Sequence, residues 1–193
     1  MPNRYSLKQY RAIDLGLFAL ILCVGETLIV TASSRWYADQ LYTVSLAGAV
    51  TAIVLLRWGP WAAIHAALSG LVFSLASHGS VRQVLIYSAG NLLSLAMLFP
   101  LRRLGGERIR QSAGLTVLFG IGTLLLMQLG RGLAALLLGS PPQALPGFIT
   151  SDSLSFLFTG VLLWIARRLD GMLEDQKHYL LRIHAPEEEK GGF

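Results

Sequence analysis

The hydrophobic positions of this chain fall in long runs separated by short polar stretches. The first run extends from about Ala12 to Ala32 and ends at Ser33-Ser34-Arg35-Trp36-Tyr37-Ala38-Asp39-Gln40. The second, from about Leu41 to Ala76, is too long for one helix. It is interrupted by Arg57-Trp58-Gly59-Pro60, where a charge and a turn-forming pair can fold it into a hairpin. Further runs cover about Val84 to Leu101, Ala113 to Leu138 and Leu154 to Ala166. At a rise of about 1.5 Å per residue, about 20 apolar residues cross a hydrocarbon core of about 30 Å. The pattern predicts an all-α integral membrane protein, with residues 1–168 forming a bundle of six transmembrane helices.

Composition agrees: 53% of the residues are hydrophobic and 14% charged, against about a quarter charged in soluble domains. The net charge of +5 does not point to nucleic acid, because the basic residues gather at the ends of apolar runs. With six spans, 13 of the 16 Lys and Arg fall on one side, among them Arg4, Lys8, Arg57, Arg102, Arg110 and Arg167. Arg35 and Arg82 fall on the other, and Arg131 lies within the fifth span. Basic residues accumulate on the cytoplasmic side, so both termini are placed in the cytoplasm of a cell, expected to be bacterial, with the chain in its plasma membrane. The N-terminal segment flows into a run too long for a signal-peptide core and is read as retained.

The tail from Leu169 to His184 carries Leu169, Met172, Leu173, Leu180 and Ile183 at helical spacing, with charges between them. It predicts an amphipathic cytoplasmic helix, resting on membrane lipid or docked on a partner subunit. The end, from Pro186 to Phe193, is expected to be disordered.

No catalytic motif is present, and the one cysteine, Cys23, excludes an intrachain disulfide. The four histidines are scattered, so neither an enzyme nor a metal site is expected, and no cofactor is implied. What stands out are polar residues within spans, which are costly there and mark function. Asp14 lies near the inner boundary and can reach water or Arg11, while His65 reads as a packing residue. Glu26, Asn91, Gln128 and Arg131 instead fall in the middle or outer half of their spans. Gln128 and Arg131 share a helix face, as do Tyr87 and Asn91. Two arrangements are open: a structural Glu26–Arg131 ion pair, or a polar cavity facing outward that receives a small ligand, with Trp36 and Tyr37 as a stacking lid.

Small residues are the other signal. Ala12, Gly16, Ala19 and Cys23 form one row on the first span, and Ala63, Ala67, Gly70 and Ser74 another on the third. Either row can pack inside the bundle or dock another membrane protein.

At the hairpin, LAGAVTAIVLLRWGPWAAIHAALSGLVFSLAS resembles the second-to-third helix region of the S components of energy-coupling factor (ECF) transporters. There a Gly-Pro turn precedes a helix of small residues ending in a Ser-Gly-Leu-like step. Six spans, size and cytoplasmic termini also fit that family. The resemblance implies a substrate-binding subunit that takes up a vitamin or similar micronutrient, powered by a T component and separate ATPase subunits. It further implies that the row on the first helix, here Ala12, Gly16 and Ala19 with Gly16 in place of the second alanine, contacts the T component. The rival reading is a membrane-embedded sensor or assembly protein acting through its tail.

Overall fold

A computed structural model of the chain describes residues 6–36, 44–150, 152–176 and 179. Among these the ordered elements are all helical: α1 (Leu7–Trp36), α2 (Ala47–Trp58), α3 (Ala62–Ala76), α4 (Val81–Asn91), α5 (Leu98–Leu104), α6 (Gly106–Gln111), α7 (Ala113–Leu137), α8 (Leu145–Thr150) and α9 (Ser153–Ala166). A short 3-10 segment, Leu92–Met97, joins α4 to α5. Four helical stretches are long and apolar enough to cross a membrane, and a fifth qualifies if α9 is counted with the segment from Pro142, bent by 41°. The chain is an all-α membrane protein.

One of those stretches, Ala47–Ala76, would by length and hydropathy serve as a single span. The chain nevertheless turns back inside it, as the Gly59-Pro60 pair predicts. Gly59 has φ 57° and ψ −119°, a conformation glycine tolerates and other residues avoid. Ala47 and Ala66 share one buried cluster with Leu124 and Met127, whereas along a straight helix they would lie roughly 28 Å apart. Contacts with α1 give the same answer. Glu26 meets Ser45 and Leu46 before α2, Asp14 meets Trp58 at its end, and Leu15 meets His65 early in α3.

Helix α2 is the centre of the bundle, with every residue from Ala47 to Trp58 buried among α1, α3, α7 and α9. It can be short because it meets no lipid. Around it, α3 packs on α4 through Gly70, where an added Cβ would lie 2.4 Å from the backbone of Tyr87 and Ser88. That row of small residues is internal packing. The row on α1 is not: Ala12 and Gly16 are exposed, Ala19 is half-buried, and a Cβ on Gly16 would meet nothing within 4 Å.

The first part of the tail departs from the predicted helix, while Gln176 and Tyr179 are helical. Residues 169–174 are turns and bends, because Gly171 adopts φ 68° and Arg57 donates to the Gly171 and Met172 carbonyls at 2.8 and 2.9 Å. Leu173, 2% exposed, is part of the main core. The segment after residue 168 is therefore built into the bundle where it is described. The tail beyond it, apart from Tyr179, lies outside the described residues.

Candidate functional site

Arg131 sits two turns from the end of α7, and Asn91 closes α4. Gly90 and Gly130 bring these helices together: a Cβ on Gly130 would lie 2.0 Å from the Gly90 carbonyl oxygen, and one on Gly90 2.5 Å from the Arg131 nitrogen. Backbone contact at that point sets the two polar side chains against each other. Arg131 Nε donates to Asn91 Oδ1 at 2.7 Å, and Asn91 Nδ2 donates to Ser69 Oγ on α3 at 2.9 Å. One turn back on α7, the Gln128 Oε1 accepts from Arg131 Nη1 at 3.3 Å.

The carboxylate that balances Arg131 is Asp152. Arg131 Nη1 lies 2.7 Å from Asp152 Oδ2, and Gln128 Nε2 donates to the same oxygen at 2.5 Å. The charges are 3% and 4% exposed, so the pair is withdrawn from water. Aromatic rings complete the surroundings. The Arg131 guanidinium lies 4.5 Å from the centre of the Tyr87 ring. Tyr87 stacks on Phe73 at 5.0 Å and is tilted against Phe148 of α8 at 6.3 Å.

The Glu26–Arg131 ion pair, one of the two arrangements left open by the sequence, is not formed, because backbone and hydroxyl donors claim Glu26 first. Its two oxygens accept from Ser45 Oγ at 2.6 Å and from the Leu46 nitrogen at 2.7 Å. Ser45 Oγ in turn accepts from the Ala47 nitrogen at 3.1 Å. The carboxylate thus meets the N–H just before α2, and Ser45 meets the first N–H of the helix itself. Of the other sequence candidates, Tyr87, Asn91, Gln128 and Arg131 come together as predicted. Trp36 ends α1 with 78% of its surface exposed, and Tyr37 lies outside the described residues.

Asp152 escaped the sequence reading because it precedes the last apolar run by two residues and so read as loop. The available signal was that a buried arginine needs a carboxylate, and Asp152 is near in sequence. Ser69, Phe73 and Phe148 read only as packing residues.

A second buried ion cluster lies at the opposite end. Arg57 donates through Nε and Nη2 to Asp14 at 2.9 and 2.6 Å, and Trp58 Nε1 donates to the same carboxylate at 2.5 Å. Asp14 is therefore not paired with Arg11, whose guanidinium sits 4.2 Å over the Trp61 ring. His65 is the packing residue anticipated, its Nε2 3.0 Å from the Leu15 carbonyl oxygen. Arg167, at this end, donates to the Arg110 and Gln111 carbonyls, while Arg82, at the Arg131 end, donates to the Leu138 carbonyl. No family model matches the chain, and no curated protein or solved structure is significantly similar to it.

Proposed function

We propose that the chain is the substrate-binding subunit of an ECF-type importer for a vitamin or similar micronutrient, in a bacterial plasma membrane. In this reading it crosses the membrane six times with both termini inside. The hairpin at Gly59 and the alternation of contacts between the two ends of the bundle support six crossings. Arg57, Arg110 and Arg167 gather at the end assigned to the cytoplasm, and Arg82 and Arg131 at the other.

The observation that carries the reading is what Arg131 bonds to. Arg57, Arg82 and Arg167 each reach backbone carbonyls, with Asp14 and Ser140 Oγ as further acceptors for Arg57 and Arg82, as charges holding a fold together would. Arg131 donates to the side chains of Asn91, Gln128 and Asp152. A buried ion pair is seldom more stabilising than apolar packing of the same volume, and a cluster of polar side chains on an apolar helix supports a binding site there. The exposed row Ala12, Gly16 and Ala19 on α1 is the face offered to a T component, which would bring separate ATPase subunits.

The test is to purify the full chain from a host expressing the T and ATPase subunits, denature it, and identify released small molecules by mass spectrometry. A stoichiometric micronutrient and co-purifying subunits are expected. A protein that carries no ligand and no subunits would end the importer reading. The clamp of Arg57 on Gly171 and Met172 favours a second reading, a sensor that signals through its tail; a partner captured on the tail, with no ligand, is the result that would select it.

A further inference from the structure

At the Arg57 end of the bundle, some arginines take no part in holding the fold. Arg102 and Arg103 finish α5 and Arg108 lies in α6, on two short helices joined at Gly105. All three are exposed, and none meets an acceptor among the described residues. Their neighbour Arg110 differs, because it forks onto Glu107 at 2.7 and 3.0 Å. Like charges left together repel, and an anion from outside relieves the repulsion.

Beside them a cavity of about 490 Å³ opens between the end of α2, the joint of α5 with α6, and the tail, within the range of about 300–1,000 Å³ usual for small-molecule sites. Leu55, Leu56, Leu98, Leu101 and Leu173 give it an apolar wall. Arg102 and Arg110 line it too, with the acids Glu107, Glu174 and Asp175, which all have partners. Its level is that of a membrane surface. Pro60 lines it, and the next residue, Trp61, is exposed with Arg11 over its ring. Arg168 sits in the same way 4.3 Å over the exposed Trp164, and the end of α9 is tied to α6 by the bonds of Arg167 to the Arg110 and Gln111 carbonyls. Exposed tryptophans carrying arginines belong at headgroup depth. On α5, Phe99 and Leu104 are exposed as well, so the arginines stand beside apolar surface. We propose that the cavity seats one anionic phospholipid. Arg102 holds its phosphate, Arg103 and Arg108 add attraction, and the glycerol and upper acyl chain lie on the leucine wall. Guanidinium groups suit phosphate oxygens, and basic pockets at the ends of membrane helices take anionic headgroups. A soluble anion would leave the leucines to water, whereas a lipid covers them. The proposal needs only that the chain lies in a membrane, and so stands apart from the importer reading.

The experiment uses the purified full chain in neutral detergent, with dioctanoyl phosphatidylglycerol as probe and dioctanoyl phosphatidylcholine as its zwitterionic counterpart. Binding is read by native mass spectrometry and calorimetry. Wild type is expected to hold one phosphatidylglycerol, about tenfold more tightly than phosphatidylcholine. Arg102→Gln, Arg103→Gln and Arg108→Gln combined should lose that preference, since each cation near a membrane surface contributes about fivefold. Should the triple variant insert poorly, Gly106→Leu keeps every charge. An added Cβ there meets only Leu101 Cδ1, at 3.8 Å, so the larger side chain enters the cavity; it should leave the lipid-free melting temperature unchanged and remove tight phosphatidylglycerol binding. Equal affinity of wild type for the two lipids overturns the proposal, as does wild-type affinity in either variant. Inorganic phosphate that displaces phosphatidylglycerol at equal concentration marks a soluble-anion site and overturns the lipid as occupant.

Discussion

Replacing Asp14 with asparagine tests the cluster that closes the hairpin end of the bundle. Arg57 and Asp14 are 8% and 12% exposed at the side chain, so neither charge is well hydrated. Asparagine keeps one oxygen, enough for Trp58 Nε1 or one arm of Arg57, but leaves the guanidinium without its counter-charge. Breaking a buried pair by removing one partner costs about 3–5 kcal/mol. The slight exposure of Asp14 puts the expectation at about 3 kcal/mol, since water can reach part of the stranded cation. For a chain of this size that is a fall in melting temperature of about 6–12 °C. Because Arg57 also holds the Gly171 and Met172 carbonyls, loss of its anchor should free the tail, and trypsin should cut after Lys177 faster than in wild type. Asp14→Leu combined with Arg57→Met, which removes both charges, should recover most of the stability. The assay is thermal unfolding in detergent with limited proteolysis in parallel. A loss below about 1 kcal/mol with unchanged cleavage, the behaviour of an exposed pair, would refute the reasoning.

The remaining predictions concern the other end, the helix faces and orientation. A double-mutant cycle on melting temperature should show strong coupling between Arg131→Gln and Asp152→Asn, and weak coupling between Arg131→Gln and Glu26→Gln; the reverse order would restore the Glu26 pairing. Gly130→Ala should destabilise by about 1–3 kcal/mol through overpacking, since its Cβ would meet the Gly90 carbonyl. Gly16→Leu, whose Cβ faces open space, should leave the melting temperature unchanged but prevent co-purification of a T component; intact assembly would remove the row from that contact. In a protein with Cys23 replaced by alanine, cysteine at the exposed Gln143 should react with an impermeant reagent added outside intact cells, and cysteine at the exposed Gln111 should not. The opposite labelling would invert the orientation.

The two rows of small residues show what a sequence can and cannot say about packing. Ala12, Gly16 and Ala19 have the same spacing as Ala63, Ala67 and Gly70, yet one row faces outward and the other is pressed against a neighbouring backbone. Periodicity names the face; only the neighbours decide its use. The hairpin was legible because Gly59 and Pro60 act locally, through φ and a missing donor. The polar cluster was legible because Tyr87, Asn91, Gln128 and Arg131 interrupt apolar runs. Their partner was not, because pairing depends on which donors reach a carboxylate first, and Glu26 was taken by the start of α2. The first part of the tail misled for a similar reason: its apolar spacing is real, but Gly171 permits a left-handed turn and two carbonyls there meet an arginine from another segment.

The buried charges then separate by what they complete. An α-helix ends with open N–H groups at its start and open carbonyls at its finish, and in a bilayer each unsatisfied group costs several kcal/mol. Helix α2 is enclosed on every side and too short, at about 18 Å by its helical rise, to carry both its ends to water. Its start is met by Glu26 and Ser45. Near its finish Arg57 reaches across to the tail carbonyls with Asp14 as counter-charge. The contacts of Glu26 and Ser45 follow from burying the start of a short helix, whereas Arg57 with Asp14 ties the tail to its end. Arg131 and Asp152 close no helix end among the described contacts: Arg131 bonds the side chains of Asn91, Gln128 and Asp152. Such a pair costs stability in desolvation, and it serves no helix end in return, which sets it apart from the Glu26 and Ser45 contacts at the start of α2.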